Sequence, residues 1–233
     1  SKSRSVFSGF TLDWYKKLFQ NDIIISSLVN TLIIAVAASI ISTILGTLAA
    51  IGINNMRKVP KAIVMNITNM PIINPEIVTG VSLMLLFVFF AARMNLEFGF
   101  VTLLIAHITF DVPYVILNIM PKFRQMDPHQ YEAAQDLGCS PFNAFMKVVL
   151  PEIMPGVVSG FLMAFTYSLD DFVISYFTSG STSQTLPVTI YSMTRRKVSP
   201  EINALSTIIF AVVVIILIVK NVIETRQLKK REA

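Results

Sequence analysis

Only 14% of the 233 residues are charged, against roughly 25% in an ordinary soluble domain. That scarcity, with 54% hydrophobic residues and a mean hydropathy of +0.66, excludes an ordinary soluble enzyme and points to a surface that faces lipid. Cys139 is the only cysteine, so no internal disulfide can form. His107 and His129 have no partners at metal-ligand spacing, and no metal or redox chemistry is signalled. A GxxxxGK[ST] run is absent, which removes ATP hydrolysis by a phosphate-binding loop of this chain. Ser1 to Asp22 is too polar for a signal peptide. The formal charge of +5 could in principle meet nucleic acid, but its bases gather at the ends of apolar stretches, as in loops on the cytoplasmic side of a membrane. No nucleic-acid partner is expected.

What the chain does have is long apolar runs. A bilayer crossing takes about 20 residues, and five such spans are visible. Ile23 to Asn55 contains no Asp, Glu, Lys, Arg or His and reads as a tilted or overlong helix. Arg57, Lys58 and Lys61 surround Pro60 in a short basic connection. The second span, Ala62 to Ala92, is interrupted by Pro71, Pro75 and Glu76. Proline removes a backbone donor and disfavours helix at the residue before it, so this span is predicted to be broken. Such breaks serve a transport pathway in some membrane proteins and are plain kinks in others. A short turn from Arg93 to Gly99 leads to the third span, Phe100 to Met120. After a polar loop, Pro121 to Pro155, the fourth span runs from Gly156 to Thr178 and the fifth from Ala204 to Val219. A second loop, Ser179 to Asn203, is rich in Ser and Thr, and residues 220–233 form a basic tail. The predicted fold class is all-α, a polytopic membrane helical bundle. Counting Lys and Arg gives 11 on the side of the tail and the long loop and 8 on the other, which puts residues 1–22 outside and the loop and tail in the cytoplasm.

The long loop carries local signals. Asp127, Pro128 and Gln130 stand as N-cap, first helical residue and third helical residue, and Gly138 suits the left-handed position that ends a helix. Ser140-Pro141 starts a second helix towards Leu150-Pro151. On the first helix Ala133, Ala134 and Gly138 are small, while Glu132 and Asp136 lie four apart on one face. A docking element and an amphipathic loop resting on lipid headgroups are both open readings, although two carboxylates oppose an anionic surface.

Four acids, Glu76, Asp111, Asp170 and Asp171, lie in or near the spans, with no Lys or Arg among them. Acids at membrane depth mark a pathway or a counter-ion, and a cavity lined by them would favour a cation. Phe110, Tyr114, Tyr167, Phe172 and Tyr176 stand nearby in sequence and could hold alkylammonium groups against their rings. The open alternatives are that Asp170 and Asp171 sit solvated at the membrane edge and that aromatics are common in any membrane helix.

Glu132-Ala133-Ala134, three residues, Gly138, nine residues, Val148, one residue and Leu150-Pro151 together resemble the EAA loop of permeases from binding-protein-dependent ABC importers. Val148 in place of isoleucine is the one departure. Ser168 to Phe172, Leu186 to Met193, Val198 to Ala204, Gly9 to Tyr15 and His107 to Phe110 are similar to the permeases of spermidine/putrescine importers. The resemblance implies a type I importer permease fold in the bacterial inner membrane, no catalysis by this chain, and polyamine as solute. It implies a cytoplasmic EAA loop in which Glu132, Ala133, Ala134, Asp136, Gly138, Leu150 and Pro151 couple to the ATPase. The substrate pathway is expected at Glu76, Asp111, Tyr167, Asp170, Asp171, Phe172 and Tyr176. The implied partners are a homologous permease in a heterodimer, two copies of an ABC ATPase that hold ATP and Mg, an extracytoplasmic polyamine-binding protein and the lipid bilayer. No cofactor is expected on this chain. Family members carry a further span ahead of the segment that matches Ser1 to Tyr15, so a first span is expected to be missing here. The rival readings are a permease for another solute (an opine, an amino-acid derivative or ferric ion), a proton-coupled carrier and an intramembrane enzyme.

Overall fold

The computed structural model describes residues 13–94, 97–127, 129–196, 203, 204 and 206–208. Every regular element among them is helical: α1 (Asp13–Phe19), α2 (Asp22–Asn54), α3 (Lys58–Ile73), α4 (Glu76–Met94), α5 (Phe100–Gln125), α6 (His129–Asp136), α7 (Pro141–Ala144), a π turn (Phe145–Val149), α8 (Leu150–Asp170), α9 (Val173–Thr178) and α10 (Leu186–Arg196). The chain divides into two compact units, Ser1–Ser26 with Thr189–Ala233 and Ser27–Val188. In the first, the described helical parts are α1, the start of α2 and the end of α10. The predicted fifth span, Ala204 to Val219, lies almost wholly outside the described residues, as do residues 220–233.

Helix α2 starts in the first unit, where Asn21 Oδ1 accepts from the N–H groups of Ile23 and Ile24. It runs for 33 residues, about 50 Å at 1.5 Å per residue. Its residues sort by helical period. Thr31, Ile34, Ala35, Ala38, Ser39 and Ser42 are buried, while Leu32, Ile33, Val36, Ile40, Ile44 and Leu48 are exposed. An exposed stripe of large aliphatics is what a lipid-facing or partner-facing helix presents.

The second predicted span is indeed broken, and the break falls at Asn74-Pro75. Asn74 is extended, with φ −75° and ψ 138°, the conformation that a following proline enforces. Pro71 is carried inside α3. The two halves are therefore separate helices, and only α4 is long and apolar enough to cross a membrane. Among the described residues four stretches meet that standard: Asp22–Asn54, Glu76–Arg93, Phe100–Gln125 and Pro141–Asp170.

Three further boundaries differ from those expected. The loop predicted over residues 121–155 shrinks, because α5 extends to Gln125 and helix runs without interruption from Pro141 through the π turn to Asp170. Pro151 cannot donate to the carbonyl four residues back, and the wider turn before it lets Leu150 N–H reach Phe145 O. The fourth span, predicted as one helix to Thr178, stops at Asp170 and restarts at Val173. The Ser/Thr-rich loop contains α10.

The core of the second unit is a close pairing of α5 with α8, flanked by α4 packed on α9. One apolar cluster joins Ala50 and Ile53 of α2, Val115, Ile119, Met120 and Phe123 of α5, and Ile153 and Ala164 of α8. A second joins Leu83 and Phe87 of α4, Ala106 and Phe110 of α5, and Ile174 of α9. Small residues set the approach of α5 and α8, as usual where helices pack in lipid. A Cβ on Gly156 would stand 2.8 Å from Lys122 Cγ and 2.9 Å from the Asn118 carbonyl oxygen. Backbone on one side of that gap cannot yield. Gly156→Leu is expected to destabilise the fold by about 1–3 kcal/mol or more through overpacking, read as a lower Tm of the detergent-solubilised protein. Gly52→Ala, with nothing within 4 Å of the new Cβ, should leave Tm unchanged or raise it.

Candidate functional site

Two regions bring the candidate residues together. The first forms where α8 breaks. Asp171 is extended, with φ −60° and ψ 124°, and its carboxylate turns onto the start of α9. Oδ1 accepts from Ile174 N–H at 3.2 Å and Oδ2 from Ser175 N–H at 2.7 Å. These bonds satisfy donors that a helix start leaves open. Asp171 is therefore a cap as well as an acid, and its side chain is only 5% exposed.

Behind that cap lies His107 of α5, 2% exposed. Its Nδ1 stands 2.6 Å from Ser168 Oγ of α8, and its Nε2 3.0 Å from Ser175 Oγ of α9 and 3.6 Å from Asp171 Oδ2. One imidazole thus ties three helices at the break. Serine hydroxyls donate or accept, so either tautomer can be served. Thr102 Oγ1 adds a further tie from α5 by donating to Thr178 O at 2.8 Å. Nothing in the spacing of the sequence singled out His107 for this role. The available signal was its position in the middle of an apolar span, where a polar side chain calls for a partner.

The break opens a cavity of about 210 Å³ lined by Glu76, Phe110, Tyr167, Asp170, Asp171 and Phe172, with Val173. Glu76 comes from the start of α4, just past Pro75, so both helix breaks contribute acids to one space. Among the described residues none that lines it is basic. Phe110, Tyr114 and Tyr167 form a ring cluster, with centroids 5.2 Å apart for Phe110 and Tyr114 and 4.5 Å for Tyr114 and Tyr167. Tyr176 does not line the cavity; its ring packs on Phe172 at 5.5 Å. Asp111 does not line it either, being fully buried in α5. Five of the seven expected pathway residues thus meet at the cavity, and two lie outside its lining.

The second region is the loop around α6. Asp127 Oδ1 accepts from His129 N–H at 3.0 Å, giving the expected cap. At the other end Gly138 takes φ 87°. Its N–H bonds to Gln135 O at 2.8 Å and Cys139 N–H to Ala134 O at 3.1 Å, closing the helix as a left-handed residue does. Ser140 Oγ accepts from Asn143 N–H at 3.4 Å and starts α7. Glu132, Ala133 and Asp136 are exposed while Ala134 is buried, so α6 stands with an acidic edge outward. Leu137 and Phe142 are 87% and 71% exposed; two large apolar side chains beside that edge extend the presented surface, and sequence reasoning did not single them out. Leu150 packs on the first apolar cluster and Pro151 is exposed. Under α6 a cavity of about 400 Å³ lies between the ends of α2 and α5 and the π turn, lined by Asn54, Asn55, Phe123, Met126, Tyr131 and Phe145 among others. Among the described residues no group of His, Cys, Asp and Glu is arranged to hold a metal ion.

Apolar spans, helix breaks that converge on an acidic cavity, and a capped outward loop joined to that cavity by one helix are the arrangement of a membrane permease. Comparison with known proteins makes this specific. Residues 42–227 match the family described as binding-protein-dependent transport system inner membrane component, and the chain belongs to it. The chain is 38% identical over 217 residues, 93% of its length and 83% of the relative's, to the spermidine/putrescine transport system permease protein PotC of Haemophilus influenzae. It is 40% identical over 220 residues, 93% of its length and 78% of the relative's, to the putrescine transport system permease protein PotI of Escherichia coli K12. A crystal structure of an amino acid ABC transporter with histidines aligns with a TM-score of 0.58 at 22% identity, covering 88% of this chain and 93% of that one, and so shares the fold. The protein is a non-catalytic subunit of an ABC importer, a multi-pass membrane protein.

The ties of His107 have a measurable weight. His107→Leu leaves two buried hydroxyls short of a partner, each worth about 1–3 kcal/mol. The Tm of the solubilised protein should fall clearly, whereas His129→Leu, at an 83% exposed side chain, should leave it unchanged.

Proposed function

We propose that this protein is one of two homologous permease subunits of an ATP-driven importer of polyamines such as spermidine and putrescine. The observation that carries the substrate is the cavity lined by Glu76, Asp170 and Asp171 with Tyr167 and Phe172 and, among the described residues, with no base. A polyamine presents several ammonium groups on an alkyl chain. Carboxylates neutralise the charges and aromatic faces hold both the cation and the methylenes. One of the two relatives is named for spermidine/putrescine transport and the other for putrescine transport.

The loop around α6 then faces the cytoplasm and seats in a groove of the ATPase, with a second ATPase copy on the partner permease. ATP and Mg are held by those subunits. The outer face receives a soluble polyamine-binding protein. Coupling follows from connectivity: α7, the π turn and α8 lead without interruption from Ser140, beside α6, to Asp170 at the cavity. Tyr131 fastens α6 to the start of that helix through its hydroxyl, which reaches Pro141 O at 3.5 Å. Nucleotide-driven closure moves α6, and the long helix carries the displacement to the cavity walls, shifting the population between outward and inward states.

The test is uptake of labelled spermidine by proteoliposomes that hold this chain with its partner permease and ATPase, supplied with binding protein outside and ATP inside. Uptake should require ATP and fall with excess putrescine but not with amino acids or ferric ion. A complex that hydrolyses ATP and takes up none of the polyamine would refute the substrate. Glu132→Lys reverses the outward charge of α6 and should cut uptake by roughly tenfold or more with insertion unchanged; normal uptake would remove the docking role. Glu76→Gln and Asp170→Asn should each raise the KM for spermidine by about fivefold, the effect of losing near 1 kcal/mol of attraction.

A further inference from the structure

We infer that Asp111 is an inner ammonium site, reached only when the ring cluster of Phe110, Tyr114 and Tyr167 parts, so that the solute passes between two acidic sites in series. The inference rests on the polyamine reading and adds a step to it.

Asp111 is 0% exposed, and among the described residues neither of its carboxylate oxygens has a hydrogen-bond partner. Its neighbours on α5 show how unusual that is. His107, one turn earlier, is bonded through both ring nitrogens. Thr109 and Asn118 return their side chains to carbonyls of their own helix. A buried polar group without partners costs free energy in any state that leaves it so, and the cost is greatest for a carboxylate. A state that brings a cation to Asp111 recovers that cost.

The cation has a route. Phe110, the residue before Asp111, lines the acidic cavity, and so does Tyr167. Tyr114, one turn further along α5, closes the ring cluster against both. In this route the ring cluster is the barrier between the outer acids and Asp111. Rotation of α8 against α5, the movement that coupling through Pro141–Asp170 would produce, withdraws Tyr167 from Phe110 and Tyr114 and uncovers Asp111. A solute with two or more ammonium groups can hold an outer acid with one and Asp111 with another, so it is never stripped of all counter-charge. Asp111 stands near the middle of the 26-residue α5, where that protection matters most.

The experiment compares uptake and retention in the reconstituted complex carrying Asp111→Asn, Asp111→Ser and Asp111→Glu. An inner site met after capture affects the rate of passage and not capture itself. Both neutral variants should lower the maximal uptake rate of spermidine by roughly tenfold with KM within about twofold of the parent. Asp111→Glu should recover part of the rate. Labelled spermidine retained by the vanadate-arrested complex should fall in parallel. An unchanged rate, a rise in KM alone, or failure of both neutral variants to assemble would overturn the inner site, the last by making Asp111 structural. Absence of spermidine uptake by the parent complex would remove the polyamine reading itself, and with it this step; parental uptake matched by the variants removes the inner site alone.

Discussion

The chain interrupts two of its helical runs, and the second interruption stands because the freed backbone groups find partners inside the protein. At the second break the partner is the carboxylate of Asp171, which takes the N–H groups of Ile174 and Ser175. In lipid no water would serve them. His107 then fixes the break in space by meeting Ser168 before it and Ser175 after it. Asp170 and Phe172 line the cavity beside this knot, in a space shared with Glu76.

The packing beside the cavity continues along α5 and α8. Gly156 and Gly160 bring α8 against the backbone of α5 near Asn118 and Val115, and the apolar cluster around Val115, Ile119 and Ile153 is continuous there. Tightly packed interfaces respond by discrete shifts rather than by gradual deformation. The loop around α6 is capped at both ends, closed by a left-handed glycine, and joined to a helix that a π turn keeps unbroken through Pro151.

Local features of the sequence were faithful guides wherever the physics is local. Asp127, Gly138 and Ser140 act on groups within a few residues, and each took the role its chemistry suggested. Pro75 broke its helix because its ring acts on the residue before it. The break at Asp171–Phe172 had no such signal, since no proline or glycine lies near it; two adjacent acids read as the end of a span. The continuous helix from Pro141 to Asp170 was hidden for the opposite reason, because Pro151 and Pro155 suggested a boundary that a widened turn absorbs. The bonding role of His107 has no local signal, since Ser168 and Ser175 lie 61 and 68 positions away.

By itself, then, the sequence determined that this protein lives in a membrane, roughly where it crosses, and that its polar loop is a capped element with an acidic edge, since hydropathy, charge placement and capping act over a few turns of chain. The tertiary structure alone decided which acids share a space. Glu76, Asp170 and Asp171 stand together around one cavity, while Asp111 is buried outside its lining and Tyr176 packs elsewhere on Phe172. The reason is that facing is set by helix rotation and by the close approach of α5 to α8. Those are fixed by contacts between residues far apart in the chain, which no local pattern encodes.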